Sequence, residues 1–312
     1  RQTKIRPHPH PPTSHPQNPP THPDYTSLPV ALPPTFLTTP APDSLPITTT
    51  PIDFSTTPLP EYAGLYALVL DHVLSPSECA TLISLAEASV PEGSNMRGED
   101  GGAWGPAMVN VGGGFEVLET GYRNGERIVW DCEEVVGRIW SRCLEGEGVR
   151  EQLGVVEGAD SRVVSWGSGG RWVVQAVNER MRFLRYGVGG FFRPHCDGSY
   201  HDTRDPARVI RTLFTVHLYL NDSKAEVPGA ELVGGATTFF SSDEKRRLDV
   251  NPKAGRVLIF QHRRLYHSGD DVLAGTKYTM RTDILYEFIS DKEEEERKQA
   301  EGKAKAKAIE GK

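Results

Sequence analysis

The chain has 312 residues, of which 37% are hydrophobic and 25% are charged, enough for one sizeable core with tails. Its formal net charge of −7 does not favour nucleic acid as a partner. No stretch approaches the roughly 18 consecutive apolar residues that a membrane-spanning helix needs.

The four cysteines are Cys79, Cys132, Cys143 and Cys196, and they form no CxxC pair. We therefore expect free thiols in a reducing compartment, such as the cytoplasm or the nucleus. The first residue is Arg1 rather than methionine, which is consistent with a fragment or a processed product. The sequence gives no indication of the oligomeric state.

Residues 1–60 form a segment of their own, with 17 of the 24 prolines and no glycine. Its apolar residues follow neither a helical nor a strand period. Such a composition predicts a disordered, partly polyproline-like segment or linker. A metal site on His8, His10, His15 and His22 is not favoured, because no fixed scaffold would orient the rings.

A folded domain is expected over residues 61–290. Residues 65–74 read as a strand, after which Ser75 as N-cap, with proline next and Glu78 in the first turn, predicts the start of a helix. A second helix fits 131–145, where apolar residues follow a helical period. The charged tail 291–312 has almost no apolar surface and is expected to be a solvated helix or a frayed end.

The second half of the domain changes to short strands separated by glycines. We predict strands near 172–178, 181–186, 191–197, 211–220, 236–240, 256–261 and 276–288. This spacing is typical of an all-β sandwich or barrel, and two helices come before it. The predicted fold is therefore mainly β with flanking helices, as a jelly-roll barrel.

The most informative chemistry is an HxD pair, His195 and Asp197. Residues two apart on a strand point to the same face, so both side chains can reach one metal ion while Cys196 points away. Two imidazoles and one carboxylate suit Fe(II) and leave three coordination positions open. The second histidine must come from elsewhere, and His262 and His267 are the candidates.

At this point the sequence resembles the prolyl 4-hydroxylase-like family of Fe(II)/2-oxoglutarate dioxygenases. The matching segments are YGVGGFFRPHCD (186–197), TVHLYLND (215–222), GGATTFF (234–240) and HSGDDVLAGTK (267–277). The resemblance covers roughly residues 65–288. It implies a double-stranded β-helix, a distorted jelly roll, with helices buttressing one side.

The resemblance also implies roles for individual residues. His195, Asp197 and His267 match the metal ligands, and Lys277, ten residues after His267, matches the cation for the distal carboxylate of 2-oxoglutarate. That spacing favours His267 over His262. Three further matches border the co-substrate: Tyr186, Tyr219 and Thr237. Arg281, four residues after Lys277, is expected to help Lys277 or to replace it.

The implied reaction is oxidative decarboxylation of 2-oxoglutarate to succinate and CO2, coupled to hydroxylation of a C–H bond. The implied cofactors are Fe(2+) and 2-oxoglutarate, with ascorbate as reductant. A peptidyl proline is the expected substrate, and a small molecule or another amino-acid side chain is the alternative. Two further alternatives are a non-catalytic metal-binding barrel and a cupin-like barrel that holds another metal and lacks the lysine.

Several candidates also have a simpler, structural interpretation. His217 shares strand parity with Tyr219, which predicts a hydrogen-bonded core or pocket residue rather than a ligand. Tyr186 and Tyr219 could be core tyrosines with satisfied hydroxyls. Three arginines that could border the mouth of the site are expected to be solvated or structural: Arg123, Arg127 and Arg193. The loops around 91–114, 199–210 and 222–233 are expected to form a lid that reads the substrate.

Overall fold

The computed structural model describes residues 19–296 and residue 299. Its three α-helices are α1 (Pro76–Ala88), α2 (Glu133–Cys143) and α3 (Val149–Leu153), and short 3-10 turns cover Phe54–Thr56 and Pro60–Tyr62. Residues 291–296 form a further exposed helical stretch. None of the described helices is long and apolar enough to cross a membrane.

The described residues also contain twenty strands. In chain order they are β1 (Thr48–Pro51), β2 (Ala67–Asp71), β3 (Gly105–Pro106), β4 (Val109–Gly112), β5 (Phe115–Val117), β6 (Arg123–Asn124), β7 (Glu126–Asp131), β8 (Val155–Glu157), β9 (Gly170–Val177), β10 (Arg180–Tyr186), β11 (Phe191–His195), β12 (His201–Asp202), β13 (Ile210–Tyr219), β14 (Val233–Gly234), β15 (Thr237–Phe240), β16 (Arg247–Val250), β17 (Val257–Gln261), β18 (His267–Gly269), β19 (Val272–Ala274) and β20 (Lys277–Ser290).

Two larger sheets of unequal size form the core of the described domain, and the pairs β4-β5 and β14-β19 form two further two-stranded sheets. The large sheet runs β1-β2-β17-β13-β20-β10-β7-β3, with β8, β9 and β12 attached, and the small sheet runs β16-β15-β18-β11-β6. Buried residues of both sheets form one cluster, in which Tyr219 and Phe260 of the large sheet pack with Phe239 and Val250 of the small sheet. The mainly β jelly-roll prediction is confirmed, although hydrogen bonds do not close the two sheets into a continuous barrel.

The two longer helices begin where the sequence indicates, but only one is capped as expected. Ser75 caps α1 in a capping box, in which its hydroxyl accepts the backbone N–H of Glu78 and the Glu78 carboxylate accepts the N–H of Ser75. At α2 the N-cap is Cys132, which makes no side-chain cap. Asp131, the expected cap, instead forms an ion pair with Arg180.

The predicted disorder of residues 1–60 is wrong for the described part, 19–60. Thr48–Pro51 pairs with β2 as a full strand, and the side chains of Phe36, Leu37, Phe54 and Leu59 are buried. The few apolar residues of this segment are buried individually against the rest of the domain. Because they follow neither a helical nor a strand period, a search for periodicity does not find them. The domain therefore begins before residue 48 rather than at 61.

Parts of the terminal predictions lie outside the described residues. These parts are residues 1–18, with His8, His10 and His15, and residues 297–298 and 300–312 of the charged tail. His22 is described, and its ring lies 3.7 Å from that of Phe115. At the start of the tail, Ser290 and Glu293 exchange hydrogen bonds that cap the exposed helical stretch.

Candidate metal centre

The three candidate ligands meet on the inner side of the small sheet. His195 is the last residue of β11 and His267 is the first residue of β18. These two residues are direct partners across the antiparallel strands, and Asp197 follows two residues after β11 ends. The ligand atoms of the three side chains all lie within 4.8 Å of one another. Cross-strand pairing thus brings together two histidines that are distant in sequence.

Each histidine is oriented by the same local contact. The Nδ1 atom of His195 lies 2.8 Å from the carbonyl oxygen of Arg193, and that of His267 lies 3.0 Å from the carbonyl oxygen of Leu265. A carbonyl can only accept, so both Nδ1 atoms carry the proton and both Nε2 lone pairs are free. The Nε2 atoms lie 3.6 and 3.8 Å from the two carboxylate oxygens of Asp197.

Asp197 is buried and held as a carboxylate. Thr215 donates its hydroxyl to one oxygen at 2.5 Å, and the guanidinium of Arg281 lies 3.2 Å from the other. Burial opposes the charged form, but Arg281 and the two histidines outweigh it and hold the pKa of Asp197 well below its usual range.

The donor set therefore fits a divalent transition metal. Burial and the neighbouring His195 lower the pKa of His267 to about 4, so this imidazole is neutral, as a metal ligand must be. Two imidazole nitrogens and one carboxylate, each oriented by a second contact, form the arrangement that Fe(II) oxygenases use.

The competing histidine, His262, lies elsewhere. It is buried, and its Nε2 atom is 3.3 Å from the carboxylate of Asp283 rather than near Asp197. Among the described residues, the group with metal-ligand geometry contains His267 and not His262. The geometry therefore agrees with the spacing argument for His267.

A narrow cavity of about 60 Å³ extends from these residues between the sheets. Lys277, the first residue of β20, lines it and is buried, with only 2% of its surface exposed. Burial lowers the pKa of Lys277 to about 8. Within the described residues its ammonium has no hydrogen bond or ion pair, and the rings of Tyr186 and Tyr219 lie 5.7 and 5.9 Å away. The cavity therefore contains a cation without an anionic partner.

The glycine pair in GGATTFF allows the chain to pass closely beside this lysine. Gly235 has a φ of +71°, and a Cβ atom there would lie 3.1 Å from Cδ of Lys277. Nearby, the hydroxyl of Tyr219 donates to Thr237 at 2.7 Å. Tyr186 is the direct strand partner of Lys277. Of the five predicted co-substrate residues, Lys277, Tyr186, Thr237 and Arg281 line the cavity, and Tyr219 contacts Thr237 from behind its wall.

Arg281 lies on the same strand as Lys277, four residues further along β20, and its side chain reaches the candidate ligand Asp197. Its guanidinium contacts two carboxylates, that of Asp197 and, at 3.0 Å, that of Asp283. An arginine with two carboxylate partners is already neutralised, whereas Lys277 has none. The geometry therefore favours Lys277 as the anchor for an incoming anion, with Arg281 supporting Asp197.

Two further residues line the cavity, His217 as the predicted pocket residue but without the expected hydrogen bond, and Arg123. The Nε2 atom of His217 is buried without a hydrogen-bond partner, and burial together with Lys277 and Arg281 keeps the pKa of His217 well below its usual range. Arg123, expected to be solvated or structural, is buried, lines the cavity and lies over the ring of Phe192 at 4.5 Å. The parity of His217 with Tyr219 indicated its position, and for Arg123 the less favoured alternative, a place beside the site, agrees with the structure.

The other two arginines have structural partners. Arg127 is buried in an ion pair with Glu116. Arg193 is partly exposed and pairs with Asp271 at 3.0 Å. For both, the structural interpretation agrees with the observed contacts.

Comparison with known proteins connects this geometry to a family. Residues 181–282 match the family model described as the 2OG-Fe(II) oxygenase superfamily. This range contains all three candidate ligands and the cavity lysine. A search of the curated proteins found no match.

Similar solved structures include several prolyl hydroxylases. A viral collagen prolyl hydroxylase from Paramecium Bursaria Chlorella virus-1 is 22% identical, with 71% of this chain and 97% of that chain covered and a TM-score of 0.40. A Pseudomonas putida prolyl-4-hydroxylase is 15% identical, with 75% and 99% covered and a TM-score of 0.45. A Trichoplax adhaerens prolyl hydroxylase, solved with a hypoxia inducible factor peptide, is 15% identical, with 73% and 84% covered and a TM-score of 0.42.

The jelly roll, the ligand geometry and the family match define the class of this protein as a non-haem iron oxygenase. Residues 181–282, which contain the candidate ligands, match the 2OG-Fe(II) oxygenase superfamily, so the site is that of a 2-oxoglutarate-dependent dioxygenase. This class implies Fe(2+) and 2-oxoglutarate as cofactor and co-substrate. The predicted enzyme class is confirmed, and the alternative of a non-catalytic barrel is not supported.

Proposed function

We propose that this chain hydroxylates a prolyl residue of a peptide, with His195, Asp197 and His267 as the iron ligands. The observation that carries the site assignment is the buried, unpaired ammonium of Lys277 in the cavity beside those ligands. An unpaired buried charge is costly, and a bound carboxylate would remove that cost. The motif resemblance over residues 186–277 supports the choice of proline as the target.

The anchoring role falls to residues at the far end of the cavity. We expect Lys277 to form an ion pair with the distal carboxylate of 2-oxoglutarate, because this contact satisfies both groups in a site of low dielectric constant. We expect the hydroxyls of Tyr186 and Thr237 to donate to the same carboxylate, with Tyr219 orienting Thr237 through its own hydrogen bond. His217 is neutral, so its free Nε2 can form a hydrogen bond to the co-substrate without adding charge.

The ligands and their neighbours fix the geometry of the metal. Carbonyl oxygens hold both imidazoles through Nδ1, and Thr215 and Arg281 hold the carboxylate of Asp197. When bound, Fe(II) supplies the redox chemistry by which dioxygen oxidises 2-oxoglutarate to succinate and CO2 and hydroxylates a substrate C–H bond. The protein's contribution is orientation, anchoring and exclusion of water. A cupin-like site would not require a buried cation such as Lys277.

The proposal is tested by measuring succinate released from 2-oxoglutarate with Fe(II), with and without proline-containing peptides. Mass spectrometry of the peptides reports the addition of one oxygen atom. We expect slow succinate release without peptide and faster release with a hydroxylated peptide. Ascorbate, as the proposed reductant, should increase the number of turnovers.

Two variants separate the site from general effects on the protein. His195→Ala should abolish succinate release. His72→Ala should leave it unchanged, since His72 contacts Pro46 and Lys253 rather than the candidate ligands. Equal succinate release from His195→Ala and the unaltered chain would disprove the ligand assignment. Succinate release that accompanies oxidation of a metabolite, but of no peptide, would disprove the prolyl substrate.

A further inference from the structure

A second and much wider cleft reaches the candidate metal centre. Its volume is about 790 Å³, which lies within the range of roughly 300–1,000 Å³ typical of ligand sites. It shares Asp197 with the narrow cavity, and its walls come from residues 161–166, the start of β13 and the turn at 262–264. Lys277 and the tyrosines of the narrow cavity do not line it. The narrow cavity therefore suits the co-substrate, and the wide cleft is the approach left for the substrate.

This cleft carries three arginines without anionic partners. Most arginines in the described residues are in ion pairs; Arg204 and Arg208, close to the cleft in sequence, pair with Asp202 and Glu287. In contrast, Arg211, Arg263 and Arg264 line the cleft and form no ion pair with any described residue.

The cleft has no carboxylate of its own to offer these arginines. The one acidic side chain in its lining is Asp197, which is held by Thr215 and Arg281. The chain as a whole has a formal net charge of −7. A locally positive cleft in a negatively charged protein attracts anions and disfavours cations.

An aromatic wall accompanies the positive charge. Trp166 is 40% exposed, and its ring packs against Trp172 and Phe288 at 5.2 and 5.3 Å. The guanidinium of Arg211 lies 4.7 Å from the Trp166 ring centre. This contact orients Arg211 without neutralising it, so its charge remains available to a ligand.

The turn that carries the other two arginines is also unusual. Arg264 has a φ of +72°, a left-handed conformation that glycine or asparagine adopts more easily. The turn leads directly from β17 to the ligand His267, so Arg263 and Arg264 have a fixed position relative to the metal centre. Their charges belong to a different chain segment from that of Arg211. Because these charges come from separate segments, they are spread along the cleft. They can therefore pair with several carboxylates of one peptide better than with a single compact anion.

We propose that the wide cleft selects a peptide with glutamate or aspartate residues next to the hydroxylated residue. Arg211, Arg263 and Arg264 would pair with those carboxylates, and Trp166 would pack against the peptide. This inference rests on the proposed function, because it assigns the substrate class of the same site.

The test measures the binding of three labelled peptides to the full chain. Each has one central proline, flanked on both sides by two glutamates, two glutamines or two lysines. Fluorescence anisotropy under argon, with Fe(II) and 2-oxoglutarate present, gives Kd without turnover. Individual exposed ion pairs contribute little, so three together should make the glutamate peptide bind about tenfold more tightly than the glutamine peptide. The lysine peptide should bind most weakly, and salt should reduce the difference.

Charge reversal provides the decisive variant. The double substitution Arg263→Glu, Arg264→Glu should reverse the order and favour the lysine peptide. Arg150→Glu is the control for a single charge reversal, since Arg150 is exposed and does not line the cleft. Arg211→Gln should weaken the glutamate peptide several-fold and leave the glutamine peptide unchanged, which a merely structural role would not do.

Three results would overturn the inference: equal Kd values for the glutamate and glutamine peptides, a double variant that keeps the original order, and displacement of the glutamate peptide by free glutarate at equal concentration. Failure of the proposed function looks different, because basal succinate release is measured separately. If succinate release persists while the peptides bind equally, only the substrate class is wrong. If succinate release is absent while the charge preference is present, the proposed reaction is wrong.

Discussion

Replacing the buried lysine should stabilise the empty protein while removing its response to 2-oxoglutarate. The ammonium of Lys277 is buried without an ion pair among the described residues, and its pKa falls from the usual 10.5 to about 8. One pKa unit corresponds to about 1.4 kcal/mol, so burying this charge costs about 3 kcal/mol. The Lys277→Met variant removes the charge and keeps most of the volume. We therefore expect its free energy of unfolding at pH 7 to rise by up to about 3 kcal/mol.

The sign of the pH dependence follows from the lowered pKa. Between pH 8 and 10.5 the unfolded chain binds a proton that the folded chain has lost, so the stability of the unaltered protein rises with pH in this window. The advantage of Lys277→Met should be complete below pH 8 and disappear as the pH approaches 10.5. Urea unfolding at a series of pH values measures this difference.

The second half of the prediction concerns the co-substrate. With a divalent metal present, 2-oxoglutarate at a hundred times its Kd should stabilise the unaltered chain by about 2.7 kcal/mol. The variant should show almost none of this effect. Lys245→Met serves as the control, because Lys245 is exposed. A loss of stability for Lys277→Met at pH 7, or an equal stabilisation by 2-oxoglutarate, would show that Lys277 has another role.

Two further predictions test the metal centre and the domain boundary. Thr215→Val removes the hydroxyl that donates to Asp197 and keeps the side-chain shape, so metal affinity measured by titration should fall about ten- to a hundredfold; unchanged affinity would mean that the hydrogen bond does not orient the ligand. Leu59→Ala should lower the free energy of unfolding by about 2–5 kcal/mol, because Leu59 is fully buried. A change within about 0.5 kcal/mol, which is typical of surface sites, would instead indicate that the segment before residue 61 is a linker.

The sequence was most informative where local rules and motif spacing agree. Each strand predicted after residue 170 has a counterpart within two or three residues at either end, because alternating or continuous apolar runs bounded by glycine are local signals. The capping box at Ser75 was equally local. In contrast, the N-cap of α2 is Cys132 rather than Asp131, and Asp131 is in an ion pair with Arg180 of the partner strand.

The segment before residue 61 shows why composition can mislead. Its prolines and lack of periodicity are typical of disorder, yet Phe54 and Leu59 are buried in the same cluster as Tyr219 and Phe260, between the two sheets. Burial there depends on the surface that the rest of the chain presents. Nothing in the segment itself indicates that such a surface exists.

For the site, the sequence by itself determined the ligand types, their spacing and the lysine that accompanies them. Tertiary structure decided which groups are left without partners. Among the described residues, Lys277 and the three cleft arginines have no ion pair and the Nε2 of His217 has no hydrogen bond, whereas Arg281 and Arg193 are in ion pairs. Whether a charge is paired depends on side chains brought from distant strands and turns. Spacing along the chain can name a charged residue, but only the folded chain shows whether its charge remains free for a ligand.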